Sequence, residues 1–212
     1  MSTASGPDSQ PRRADAVRNR LLALEATKAL LKQRDATITV EAIARQAGLG
    51  AATVVRAFGN KDALVDAAVA ELLDPLIRRA GGLLSGSGSD PGSGTEPGSG
   101  TELGSGTEPR QALRAFLLDL IAFQSAHWIM NEPLRGVEAP LTATRRTELR
   151  AAFRALVAHT RDAGGMRTDI DIDVATTLLG EMAYAIARSD VASQQLADGF
   201  VTVVMDGLRP QS

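Results

Sequence analysis

"AGLGAATVVRAFGNKDAL", residues 47–64, places a glycine and a helix of small side chains between two apolar patterns. Gly48 suits the left-handed conformation that ends a helix in a sharp turn. Ahead of it, Thr39 stands as the N-cap of a short helix, with Glu41 in the first turn and Ile38 and Ile43 spaced as a hydrophobic staple. After "GLG" a second short helix covers Ala51 to about Phe58. Two short helices three residues apart form a helix-turn-helix: the first braces across phosphates and the second is presented to the major groove. Ala51, Ala52, Thr53 and Val55 are small, so the backbone can approach base edges and methyl groups can meet thymine methyls.

Working outward, residues 1–14 are rich in Ser, Pro, Gly and Arg and read as a disordered arm. From Asp15 to about Gln33, Val17, Leu21, Leu24 and Leu31 share a helical face interrupted by Lys28. Residues 15–61 thus read as the helix-turn-helix domain. Asn60 caps a connecting helix over residues 62–84. From Gly86 the hexad GSGSDP, GSGTEP, GSGTEL, GSGTEP repeats four times with one acid per unit and no base. So little apolar surface predicts a disordered loop over residues 85–109, on the order of 25 to 30 Å end to end for a Gly/Ser chain. It reads either as a tolerated insertion or as an acidic tether that screens a basic head.

Helical patterns resume at Pro109 and run to about Met130, with Pro133 and Pro140 as interruptions. Thr142 is placed to cap a helix reaching Ala163, Asp171 or Asp173 caps the next, and a last helix closes on "DGLRP". No alternation is long enough for a strand. The expected fold is all-α, about nine helices, with an N-terminal three-helix DNA-binding domain and a helical ligand-binding and dimerisation domain over residues 110–212.

Composition narrows the function. Residues 1–61 hold ten Lys/Arg against five acids, while the remainder holds thirteen against twenty. A basic head on an acidic body is the charge footprint of a nucleic-acid-binding module. The chain contains no cysteine and two histidines, a poor set for a metal or a thiol nucleophile. Charged residues interrupt the first apolar positions, and nothing reaches the length of a membrane span, so no leader or membrane association is expected and the cytoplasm is the expected compartment. "GSGSG" is not followed by a phosphate-cradling motif, and no Ser-centred elbow occurs. No enzyme, cofactor or metal site is expected.

The segment "TITVEAIARQAGLGAATVVRAFGNKDALVDA", residues 37–67, resembles the DNA-binding segment of the tetracycline-repressor (TetR) family of bacterial regulators. The likeness rests on Thr39-Val40, Ile43-Ala44, Ala47-Gly48-Leu49, Thr53, Phe58 and Lys61-Asp62-Ala63-Leu64. It implies a homodimer on a palindromic operator in double-stranded DNA, responsive to a small, mostly apolar effector. By position, Thr53 and Lys61 would touch phosphates, and Ala51, Ala52 and Val55 would face the groove, with Thr39, Arg45 and Gly50 beside them. The family usually has Tyr where this chain has Val55 and His where it has Ala57. Both lost side chains are phosphate donors, so binding would be weaker or would lean on Arg45, Arg56 and the Arg12/Arg13 arm. Arg56 reads either as a bidentate guanine contact or as a phosphate contact. The alternative function is a dimeric helical sensor or adaptor of the same fold with weak or lost operator binding.

A second candidate site lies downstream. Gln124, His127, Trp128 and Asn131 fall at i, i+3, i+4 and i+7 beside Phe116, Leu120 and Phe123, with Phe153 and Met182 available as apolar walls. An apolar cavity with a few polar anchors is how small-molecule pockets are built. The other reading is that Gln124 and His127 are satisfied surface or interface groups. Val174, Leu178, Met182 and Ala185 form one stripe, and Phe200, Val203, Val204 and Gly207 another, as in a four-helix dimer interface.

Overall fold

A computed structural model describes residues 9–33, 36–86, 107–127, 138–189 and 194–210. Among them are eight helices and no strand: α1 (Ser9–Leu31), α2 (Val40–Ala47), α3 (Ala51–Phe58), α4 (Lys61–Leu84), α5 (Thr107–Ala126), α6 (Pro140–Asp162), α7 (Ile172–Ala187) and α8 (Gln194–Gly207). None is long and apolar enough to cross a membrane. The chain divides into two compact units, residues 1–72 with 127–144, and residues 73–126 with 145–212.

In the first unit α1, α2 and α3 pack on one another around Leu24, Leu31, Ile43 and Val54. Local chemistry fixes the ends of these helices. Thr39 Oγ1 accepts from the Ala42 amide at 3.1 Å, and Gly48 closes α2 with φ of 66°. Asn60 Oδ1 accepts from the Ala63 amide at 2.8 Å, capping α4. Thr39→Ala should destabilise the protein by about 1 kcal/mol in urea unfolding, the usual cost of a lost N-cap. An unchanged midpoint would mean that water replaces the cap without penalty. Lys28 ties α1 to α4 through Glu71 at 3.0 Å, with Glu25 as second partner. Burial opposes its charge, but the two carboxylates outweigh that and hold its pKa above the ordinary lysine value.

Three features depart from the sequence reading. First, α1 begins at Ser9, so residues 9–14 are helical rather than part of a disordered arm; Pro11 lies in the first turn, where its missing N–H costs no helical bond. Burial starts only at Ala23, and Val17 and Leu21 are 60 % and 55 % exposed, so the apolar periodicity of α1 runs beyond the core. Second, α6 starts at Pro140 and Thr142 does not cap it. The Asp66 carboxylate of α4 does, accepting from the amides of Leu141 at 3.1 Å and Thr142 at 2.8 Å, while Thr142 Oγ1 donates to the Asp66 carbonyl at 3.2 Å. Asp66 is 3 % exposed, so this is a buried charge-assisted cap within the first unit. Third, eight helices rather than nine occur among the described residues; most of the Pro133 region between α5 and α6 lies outside them. The repeat, apart from its ends, lies outside them too.

The second unit packs α5, α7 and α8 with the end of α4 and most of α6. Its core joins Leu76, Leu113, Phe116, Leu117, Leu156, Met166, Leu179 and Val201. Asp171 caps α7 by accepting from the amides of Asp173 and Val174, which decides between the two candidate caps. Helix α4 passes through the division between units with Pro75 just beyond it, where proline leaves one i→i−4 bond unmade.

Candidate nucleic-acid interface

The faces of α3 are sorted by what the three-helix core hides. Val54 is buried, Ala51, Thr53, Ala57 and Phe58 are half-buried, and Ala52, Val55 and Arg56 are exposed, Val55 by 43 %. Positions 52, 55 and 56 share one helical face, so the outward surface is two small apolar side chains and one guanidinium. Gly50 precedes α3 as its N-cap with no side-chain bond, and a Cβ there would meet Thr53 Oγ1 only at 3.8 Å, an ordinary contact. Arg45, on α2, is exposed. Lys61 opens α4 and pairs with the neighbouring Asp62 at 3.1 Å, on a partly exposed surface where phosphate can displace the carboxylate. Thr39 has its oxygen engaged in the α2 cap.

Sequence reasoning missed the role of α1. Arg20 Nη1 donates to the Ala57 carbonyl at 2.8 Å, and its guanidinium lies 4.0 Å from the Phe58 ring centroid. One side chain thus pins the middle of α1 to the end of α3. A groove of about 640 Å³ runs between the two helices, lined by Asp15, Val17, Asn19, Arg20, Thr53 and Arg56 among others. The signal in the sequence was the periodicity of α1 continuing from Leu24 back to Val17, which placed those turns on a helix but not beside α3.

In the second unit, Phe116, Leu120 and Phe153 are buried together, with the Phe116 and Phe153 ring centroids 5.3 Å apart, and Phe123 packs half-buried against the same core. Gln124 Oε1 is buried and has no hydrogen-bond partner among the described residues. Met182 is not with them: it is 41 % exposed on the stripe of Val174 and Leu178, because positions four apart on α7 share its outer face. Helix α5 ends at Ala126, so His127 lies in a turn and falls in the first unit. Trp128 and Asn131 lie outside the described residues. The second unit also exposes Val203 of α8 by 72 %.

Two family models match the chain. Residues 23–68 match bacterial regulatory proteins of the tetR family, and residues 108–210 match the C-terminal domain of SbtR-like transcriptional regulators. No curated protein matches it. Among solved structures, a TetR regulatory protein from Mycobacterium vanbaalenii is similar at 27 % identity and a TM-score of 0.62, covering 94 % of this chain and 99 % of that one. A TetR regulator from Streptomyces coelicolor is similar at 29 % identity and 0.61, covering 91 % and 99 %. RolR in complex with resorcinol shares the fold at 14 % identity and 0.59, covering 93 % and 91 %.

Proposed function

Since the chain belongs to the TetR family and is a DNA-binding transcriptional regulator by fold, we propose that it acts as a repressor: a homodimer that holds a palindromic operator and releases it to a small, mostly apolar effector. The observation that carries this reading is the outward face of α3, where Ala52 and Val55 are exposed at a helix-turn-helix whose first helix is capped by Thr39 and closed by Gly48. Such a face offers close backbone approach and methyl contact in a major groove, with Thr53 and Lys61 on phosphates.

The dimer reading is supported by Val174, Leu178 and Met182 on α7 and Val203 on α8, large apolar side chains left exposed at helical spacing. The effector reading is supported by Gln124 Oε1, a buried acceptor without a donor among the described residues, which a ligand carrying an N–H or O–H would satisfy. Phe116, Leu120, Phe123 and Phe153 supply apolar surface. That a protein of this fold is solved with resorcinol, a small aromatic diol, fits a ligand of this chemistry.

A gel shift on the DNA upstream of the protein's own gene, at stated salt, tests the reading. A discrete complex that resists random competitor DNA is expected; a protein that dimerises without shifting any DNA would instead be the sensor or adaptor that Val55 and Ala57 leave open. Trp128 is the sole tryptophan, so its fluorescence should respond to the effector. Trp128→Ala should abolish effector-induced release while leaving operator affinity intact. Loss of fold and DNA binding together would place the pocket elsewhere.

A further inference from the structure

We propose that the groove between the first half of α1 and α3 seats the sugar-phosphate backbone of one DNA strand, with Asn19, Thr53 and Arg56 as its polar contacts. This rests on the reading that α3 enters the major groove. Three observations support it. Arg20 fixes the groove's geometry, bonding the Ala57 carbonyl and covering Phe58, so α1 and α3 present their facing surfaces as one wall and floor. Thr53 and Arg56 line the groove from α3, and Arg56 also shares the outward face with Ala52 and Val55, so a position of α3 that brings Val55 to base edges brings backbone to Thr53 and Arg56. The opposite wall carries Asn19 as a donor and Ala16 and Val17 as apolar surface for deoxyribose. Arg13 and Arg18 are exposed on the same protruding turns, which gives them the charge to lie along phosphates.

The groove also assigns Arg56. In this seat Arg56, which both lines the groove and borders Ala52 and Val55, holds phosphate and does not read guanine, so base discrimination falls to the methyl groups of Ala52 and Val55. Asp15 is the one carboxylate among the described lining residues. Beside a phosphate it repels, so it lowers affinity for every sequence alike.

The test uses the full-length protein and duplexes enriched from a randomised library, with affinity measured from 50 to 200 mM salt for wild type, Arg56→Gln, Asn19→Ala, Asn19→Asp and Asp15→Asn. Circular dichroism melts confirm that each variant folds. Arg56→Gln should lower the salt slope by about one unit with unchanged base preference. Asn19→Ala should weaken binding several-fold on all sequences and Asn19→Asp more, and Asp15→Asn should tighten it several-fold at low salt, with the gain shrinking as the Debye length falls to about 8 Å. A changed base preference in Arg56→Gln, or enriched duplexes on which the Asp15 and Asn19 variants match wild type, overturns the groove assignment and leaves DNA recognition by α3 standing. Failure of wild type to enrich any duplex overturns both.

Discussion

On the proposed dimer, Leu178→Glu is expected to yield monomers and to abolish specific operator binding. Leu178 is 53 % exposed on α7, one turn from Val174 and Met182, and a carboxylate placed in the middle of an apolar interface is desolvated without a partner. Each 1.4 kcal/mol lost weakens association about tenfold, and a two-fold interface carries the change twice. The loss for DNA is larger still. Two linked heads gain a factor of roughly 10² to 10⁴ over one head by engaging both half-sites, and that factor vanishes with the dimer. Light scattering gives the mass and fluorescence anisotropy the affinity; Val203→Glu on α8 is the companion variant. Glu-bearing protein that remains dimeric would place the interface elsewhere, and monomers that bind the operator tightly would break the link between two-fold symmetry and recognition.

Asp66→Ala should be strongly destabilising for the loss of one polar side chain in the first unit. It removes both acceptors of the Leu141 and Thr142 amides and leaves those donors at a helix N-terminus, beside a threonine that is almost fully buried. Charge-assisted bonds lost in this way cost about 1.5 to 3 kcal/mol each where the orphaned donors cannot reach water. A cost of about 3 kcal/mol corresponds to a fall in Tm of roughly 6 to 12 °C for a chain of this size. Asp66→Asn retains one carbonyl acceptor and should fall between the two. A melting temperature equal to wild type in Asp66→Ala would show that the α6 N-terminus is satisfied by other means.

What could be read in advance was what the chain decides locally. Thr39, Gly48 and Asn60 announce their helix ends because a cap and the amide it satisfies lie within a few residues. The exposed positions of α3 were legible in part: Ala52 and Val55 stand out around the buried Val54, whereas Ala51, read as facing the groove with them, is half-buried. Asp66 was not legible, because its partners lie across the repeat, and Thr142 mimics a local cap so well that the distant one is masked. Periodicity also overreached twice. Val17 and Leu21 continue the spacing of Leu24 without sharing its burial, and Met182 fits either face of a pattern until the core claims Leu179 and Ala183 on the other side of α7. The groove of Asp15 and Asn19 needed three dimensions, because neither residue type nor spacing says that α1 overhangs α3.

The bond from Leu141 to Asp66 spans 75 residues of sequence, and the four hexads fall inside that span. Closing a chain on itself costs entropy that grows only as (3/2)RT ln n, so one hexad more or fewer changes the cost by less than about 0.1 kcal/mol. Tandem repetition of this kind can therefore drift in copy number without selection on thermodynamic stability, and variants carrying two or eight hexads should melt together with this one. By the polymer statistics of closure alone, this point of the chain is a neutral site for length polymorphism.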